Sequence, residues 1–400
     1  MSEIARGIPD YPFANPAPLT PPAEWAELRR TCPVSRVRLP SGDEAVLLSR
    51  YRDVKNLLAD PRFTRTLAAA DAARLSADGT VFGRGDSEIT GPFHGEWRRL
   101  VGRAFTAKRV AELRPRIEAM AGHLIDEMVR QGPPADLCAK VAFPLPVWAI
   151  CGLLGVPDAD RDRFRYWSDT MLSLTRYSRA EIEAAEAEFT AYMSALIAAK
   201  RAAPGDDLIS DLLALVGSLE SGLTERMLLL TAQGLLVAGH ETTTNMIGKM
   251  VAMLLADRTR WETLLADPSL VRTAVEESLR FDANPGFGLP RYLGEPVELG
   301  GVTLPAGTTV ICNMGAANRD EEEFDRADEM VLDRSPNAHI TFGVGPYACL
   351  GQALARAELR SVLRELLRRV PTLELAVPVE ELAYRQGLLV GGLERLPVRW

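Results

Sequence analysis

Between Thr224 and Ala256 the sequence reads as one uninterrupted helix, roughly 50 Å long at about 1.5 Å per residue. Its residues are apolar on most sides, and such a helix belongs in a core. Thr231, Gln233, His240 and Glu241 break the apolar run too soon for a membrane span. At its middle stands Ala238-Gly239-His240-Glu241-Thr242-Thr243. Small residues beside a polar pair are costly in a buried helix unless they serve something. They would leave space for a diatomic ligand while a carboxylate and a hydroxyl relay protons. A polar stripe in a helix–helix contact explains this motif, taken alone, equally well. His240 is expected to be satisfied structurally rather than to act in chemistry.

A second stretch, Thr341-Phe342-Gly343-Val344-Gly345-Pro346-Tyr347-Ala348-Cys349-Leu350-Gly351, surrounds one cysteine with glycines. Glycines let backbone turn tightly and approach a flat ligand closely. Behind it, Leu354, Leu359, Leu363, Leu366 and Val370 recur at helical spacing, so Gln352 to Val370 is a predicted helix. Cys349 then sits just before a helix N-terminus, where unpaired N–H groups and the helix dipole lower a thiol's pKa. One thiolate does not suit structural zinc, which takes about four ligands. It does suit the proximal position of a haem. A small buried cysteine beside a glycine turn is the plainer alternative.

The pattern Phe342-Gly343-x-Gly345-x-x-x-Cys349-x-Gly351 resembles the haem-binding loop of the cytochrome P-450 family, the haem-thiolate monooxygenases. The resemblance implies a mainly α fold with a smaller β region, a single domain over residues 1–400 around a buried haem b, and Cys349 as axial ligand of the iron. It makes Glu241 the acid and Thr242 the alcohol of the oxygen-activation motif, with Ala238 and Gly239 beside the cofactor. His94 and Arg98, four apart on one helix face, resemble the pair that holds a haem propionate, and Arg291 the arginine on the other. Two residues before the cysteine the family usually has His or Arg; here Tyr347 can donate a hydrogen bond but supplies no positive charge. Glu277-x-x-Arg280 with Arg334 resembles the family's buried ion network.

The resemblance also implies a monooxygenase that takes O2 and two electrons from a ferredoxin and ferredoxin reductase, because no flavin or iron–sulfur module is appended. Leu235, Leu236, Phe287, Leu289, Leu388, Leu389 and Val390 are candidate pocket residues, nearly all apolar, which favours a hydrophobic small molecule. A polyketide or macrolide-like intermediate of secondary metabolism is expected, hydroxylated or epoxidised. Terpenoid or fatty-acid oxidation, a peroxide-driven haem-thiolate enzyme and a non-catalytic haem sensor are the alternatives. The Glu241-Thr242 pair counts against the peroxide-driven one.

A hydrophobic fraction of 47% with 25% charged residues is that of an ordinary globular chain able to bury a large core. The net charge of −8 argues against nucleic acid as a partner. Met1 to Thr20 has no continuous apolar segment, so neither signal peptide nor membrane anchor is expected, and the chain should be a cytoplasmic monomer. Cys32, Cys138, Cys151, Cys312 and Cys349 are scattered and odd in number, unlike a disulfide framework.

Elsewhere, Arg36 to Leu39 and Glu44 to Leu48 read as a hairpin, as do Val297 to Leu299 and Val302 to Leu304 around Gly300-Gly301. Thr66 to Thr90 reads as a long loop, expected to move, and the family resemblance implies that it lies over the substrate. Asn284 to Arg291 reads as an extended, Pro-bounded segment, which the resemblance implies runs along the haem edge, and Ala317 to Asp320 is expected to start a surface meander. Basic residues after Arg98, with Arg356 and Arg360, form an expected positive patch for an acidic redox protein.

Overall fold

The computed structural model describes residues 7–400 except 66, 68, 79–88, 90, 92, 161–162, 219–220 and 283–285, and except the side chain at 158. Parts of the expected mobile loop and of the segment before Phe287 lie outside the described residues. The described helices are α1 (Ala23–Thr31), α2 (Tyr51–Ala59), α3 (His94–Gly102), α4 (Ala107–Gln131), α5 (Pro144–Leu154), α6 (Arg163–Met171), α7 (Arg179–Ala202), α8 (Leu208–Leu213), α9 (Glu225–Leu255), α10 (Arg258–Ala266), α11 (Val271–Phe281), α12 (Met314–Ala317) and α13 (Gln352–Arg369). No described helix is long and apolar enough to cross a membrane.

The long helix sits where its composition demands. The Thr224 hydroxyl accepts a hydrogen bond from the Met227 N–H at 3.1 Å and caps α9. Helices α5, α6, α7, α8, α10, α11 and α13 pack around it. Leu228, Leu236, Ile247, Met250 and Val251 are fully buried in the principal core, which also takes in α4 and α13.

The strands are β1 (Val34–Arg38), β2 (Glu44–Leu48), β3 (Ala135–Asp136), β4 (Leu289–Tyr292), β5 (Val297–Leu299), β6 (Val302–Leu304), β7 (Thr309–Cys312), β8 (Glu374–Leu375) and β9 (Pro397–Arg399). Both predicted hairpins form, β1 against β2 and β5 against β6. Gly300 and Gly301 take φ of 55° and 77°, which the two-residue turn between β5 and β6 requires and side chains resist. The main sheet runs β1-β2-β7-β4, and β2 lies parallel to β7 with Leu48 opposite Cys312. Arg291 on β4 pairs with Val310 of β7, and its side chain is 2% exposed.

Two features brace the cysteine loop. Glu277 on α11 accepts from Arg280 Nε and Nη2 at 2.8 Å each and from Arg334 Nε at 3.0 Å, so the expected network assembles. The Val331 N–H and Asn337 Nδ2 complete it at 2.8 and 3.0 Å. The expected surface meander starts later than predicted: Ala317, Asn318, Arg319 and Asp320 are buried, and most residues from Glu321 to Glu329 are exposed. The Asn318 amide receives the Ile340 N–H at 2.8 Å and donates to the Thr341 hydroxyl at 2.9 Å, while the Asp320 carboxylate accepts the Tyr51 N–H at 2.8 Å. Polar side chains that tie buried backbone together are drawn inward.

Candidate active site

The loop ahead of α13 closes on itself: Gly343 donates to the Ile340 carbonyl and Cys349 to the Phe342 carbonyl, both at 2.8 Å. A side chain at Gly345 would come within 2.6 Å of the Ala59 Cα, so glycine is needed where the loop crosses α2. Cys349 is unpaired and has accessible surface, yet the surrounding protein encloses it. These two descriptions fit a side chain facing an interior space. Enclosure decides its acidity. Burial pushes the thiol up, against the N–H groups of Gly351 and Gln352 and the charges of Arg98 and Arg356, which pull it down. The helix start therefore acts in the anticipated direction but is outweighed, and the expected lowered thiol is not found. Coordination to a metal, which takes the thiolate, would reverse that balance.

Cations gather beside this loop. His94 and Arg98 lie on α3 as expected, and the His94 ring stacks on Tyr347 with centroids 4.3 Å apart. The Arg291 guanidinium stands 5.2 Å from the Tyr347 ring centroid. Arg291 Nε is buried without a hydrogen-bond partner, and burial holds the group below its ordinary range. Burial lowers Arg98 too, with Arg65 adding repulsion and the Cys349 thiolate opposing it. Arg65 acts on His94, Arg98 and Arg291 alike, and sequence reading missed it because no local pattern marks it. Cations crowded together with an orphaned buried donor suit an anionic ligand, and the propionates of haem b fit it. His94 departs from expectation: its Nδ1 faces the Ile89 carbonyl at 3.0 Å and its Nε2 the Pro346 carbonyl at 3.1 Å. A propionate would have to displace one of them.

Along α9 the positions Gly234 and Ala238 are exposed and Leu235, Gly239 and Thr242 half-buried, while most residues on either side are buried. Residues four apart share a helix face, so Gly234, Ala238 and Thr242 form an open strip. The Thr242 hydroxyl donates to the Ala238 carbonyl at 2.9 Å. Leu236 faces the other way and is 0% exposed in the core, which removes it from the pocket. Gly239 has a different purpose from the one expected: a Cβ there would lie 2.7 Å from Ile150 Cγ1 of α5. It lets two helices approach. Gly239→Ala should cost about 1–3 kcal/mol by overpacking, more than the roughly 1 kcal/mol gained in helix propensity. Thermal unfolding checks this, and Ile150→Val should recover part of the loss.

Glu241 is 1% exposed and ion-paired to Arg385, a residue just ahead of the C-terminal loop. Arg385 Nη1 also meets Asp169 of α6 at 2.7 Å, and Nη2 the Asn245 side-chain oxygen at 2.9 Å. Asn245 Nδ2 in turn donates to Glu241 at 3.2 Å. Nothing near Arg385 in the sequence signals this, since its partners come from two distant helices. His240 is only half satisfied: Nδ1 lies 2.7 Å from the Leu236 carbonyl, while Nε2 is buried without a hydrogen-bond partner, and burial holds the ring down at about 4.

Phe287, Leu389 and Val390 come together in one small apolar cluster with Leu172, Leu174 and Ile311. Leu388 bridges to Ser173, behind α6, and Leu289 is half-buried on β4. The positive patch is smaller than expected. Arg356 and Arg360 are both held by Glu276, at 2.9 and 2.6 Å, so they are committed within the protein.

A helical body wrapped on one long helix, with a cysteine loop braced behind it, is the architecture of a haem-thiolate monooxygenase. The Cytochrome P450 family model matches residues 164–374. The chain is 44% identical to the mycinamicin IV hydroxylase/epoxidase of Micromonospora griseorubida and 42% to the nocardicin C N-oxygenase of Nocardia uniformis subsp. tsuyamanensis, each over 98% of both chains. The crystal structure of the LnmA cytochrome P450 hydroxylase from the leinamycin pathway of Streptomyces atroolivaceus S-140 superposes with a TM-score of 0.89 at 40% identity, covering 98% of this chain and 100% of that one. The chain belongs to the cytochrome P450 family. It is a monooxygenase that uses haem b and O2, acts on a small molecule and draws electrons from redox partners.

Proposed function

We propose that the enzyme tailors a natural product, hydroxylating or epoxidising a largely hydrophobic macrolide-like or other polyketide-derived intermediate, with Cys349 as the axial ligand of the haem iron and a ferredoxin as electron donor. Relatives named for mycinamicin and nocardicin support the substrate class. The observation that carries the reading is the strip of Gly234, Ala238 and Thr242, open in the middle of a helix whose residues on either side are mostly buried. Bound haem b supplies the O2-activating iron, with thiolate donation favouring O–O cleavage.

The protein's own part is positioning and proton control. Arg98 and Arg291 would hold the propionates, with the His94 ring stacked on Tyr347 beside them. The Thr242 hydroxyl presents its oxygen at the open strip while its hydrogen rests on the Ala238 carbonyl. Glu241 lies one residue away, ion-paired to Arg385, which Asp169 and Asn245 hold in place. Phe287, Leu389 and Val390 lie together in one apolar cluster and would give the substrate side a hydrophobic wall.

The test is the absorption difference spectrum of the reduced holoenzyme with carbon monoxide, for the native protein and Cys349→Ser. A strongly red-shifted Soret band that vanishes in the variant is expected. A band typical of histidine ligation in a folded native sample would remove Cys349 from the iron. Turnover with a ferredoxin system, against peroxide alone, then tests the electron donor.

A further inference from the structure

Glu276 is the neighbour of Glu277 but serves a different set of groups. Its Oε2 meets His339 Nε2 at 3.2 Å and Arg356 Nε at 2.9 Å, and its Oε1 meets Arg360 Nη2 at 2.6 Å. Burial pushes this carboxyl up, but the hydrogen bonds from His339 and Arg356 win and hold it at about 2. The partners come from both arms of the cysteine loop. His339 precedes Phe342 and Cys349, while Arg356 and Arg360 sit in the first turns of α13 behind it. His339 Nδ1 accepts the Thr341 N–H at 3.3 Å, so its hydrogen is on Nε2 and points at Glu276. Arg356 lies with its guanidinium 4.4 Å from the Phe342 ring centroid and Nη1 3.0 Å from the Gln352 side-chain oxygen.

We infer that Glu276 is a positioning residue that ties the two arms of the cysteine loop together and sets the positive field felt by the Cys349 sulfur. The inference rests on the proposed ligation of iron by Cys349. Two guanidinium groups and one carboxylate leave one net positive charge behind the loop, and loss of the carboxylate leaves two. A haem-thiolate centre gains negative charge on reduction, so added positive charge favours the reduced form and weakens donation from sulfur. Glu276 opposes both effects. Because Arg356 is fixed by Glu276 on one side and Phe342 on the other, its charge stays at a set distance from the loop.

The experiment is the ferric/ferrous midpoint potential of the holoenzyme for Glu276→Gln and Arg360→Gln. Removing the acid should shift the potential upward. Removing Arg360, which faces the same carboxylate, should shift it downward, while Glu276→Asp and Arg360→Lys stay close to the native value. Structural damage alone would not give shifts of opposite sign. Shifts of the same sign, or none in either variant, overturn the inference. If Glu276→Gln does not retain haem, Arg360→Gln against Arg360→Lys decides by the same sign rule. The carbon monoxide spectrum of the same native sample separates the two levels: a thiolate band with unmoved potentials removes the role of Glu276 only, and its absence removes the reading of Cys349 and this inference together.

Discussion

Glu277→Gln is expected to lose about 3–5 kcal/mol of stability, the usual result of breaking a buried ion pair from one side. The variant keeps the shape but loses the charge that compensates Arg280 and Arg334. Arg280 is 0% exposed and donates besides to the carbonyls of Asn318, Ala327 and Glu329, each at 2.8 Å, so it cannot turn to solvent. Those carbonyls belong to the segment that leads into the cysteine loop, and haem retention should fall together with the unfolding midpoint. Urea unfolding measures the first and transfer of haem to an apo-globin the second. A loss under about 1 kcal/mol would show that desolvation had already offset the network.

Arg385→Ala should have the second large effect. It leaves Asp169 and Glu241 as two buried carboxylates with no guanidinium between them. Like charges held in a poorly solvated place repel, so α6 and α9 should separate or one carboxyl should take up a proton. About 3–5 kcal/mol of stability is expected to go, and with it the fraction of consumed electrons that reaches product. Arg385→Lys keeps the charge but not the fork geometry that joins three acceptors, and should recover stability better than coupling. Equal recovery of both would mean that charge alone matters and that the fork does not orient Glu241. Product formed per reducing equivalent consumed is the measurement.

Much of this molecule is written locally. The apolar run of α9, the periodicity of α13 and the Gly300-Gly301 turn act over a few residues, and each was readable as sequence. So was the Glu277 network, though only by resemblance, since Glu-x-x-Arg by itself marks many surface helices. What escaped depends on chain segments far apart. Arg385 meets Glu241 across 144 positions and Asp169 across 216, and nothing beside it foretells either partner. Arg65 joins the cations near Tyr347 from a position to which the sequence assigned nothing, and the Thr64–Tyr292 bridge is what carries it there. Gly239 shows a different failure. Its smallness was legible, but whether it made room for a ligand or for Ile150 depended on which way the helix turned. Arg356 and Arg360 repeat the point: a basic run looks like a docking surface until the acid that claims it is located.

The parallel pairing of β2 with β7 has a consequence for synthesis. Leu48 leaves the ribosome long before Cys312 does, and at about 5–20 residues per second the first hairpin waits roughly 13–53 s for its partner. During that interval one side of β2 offers unpaired backbone and Val46 and Leu48 to any other nascent chain. Expression yield should therefore respond to translation speed and chaperone supply more than the stability of the finished enzyme would suggest.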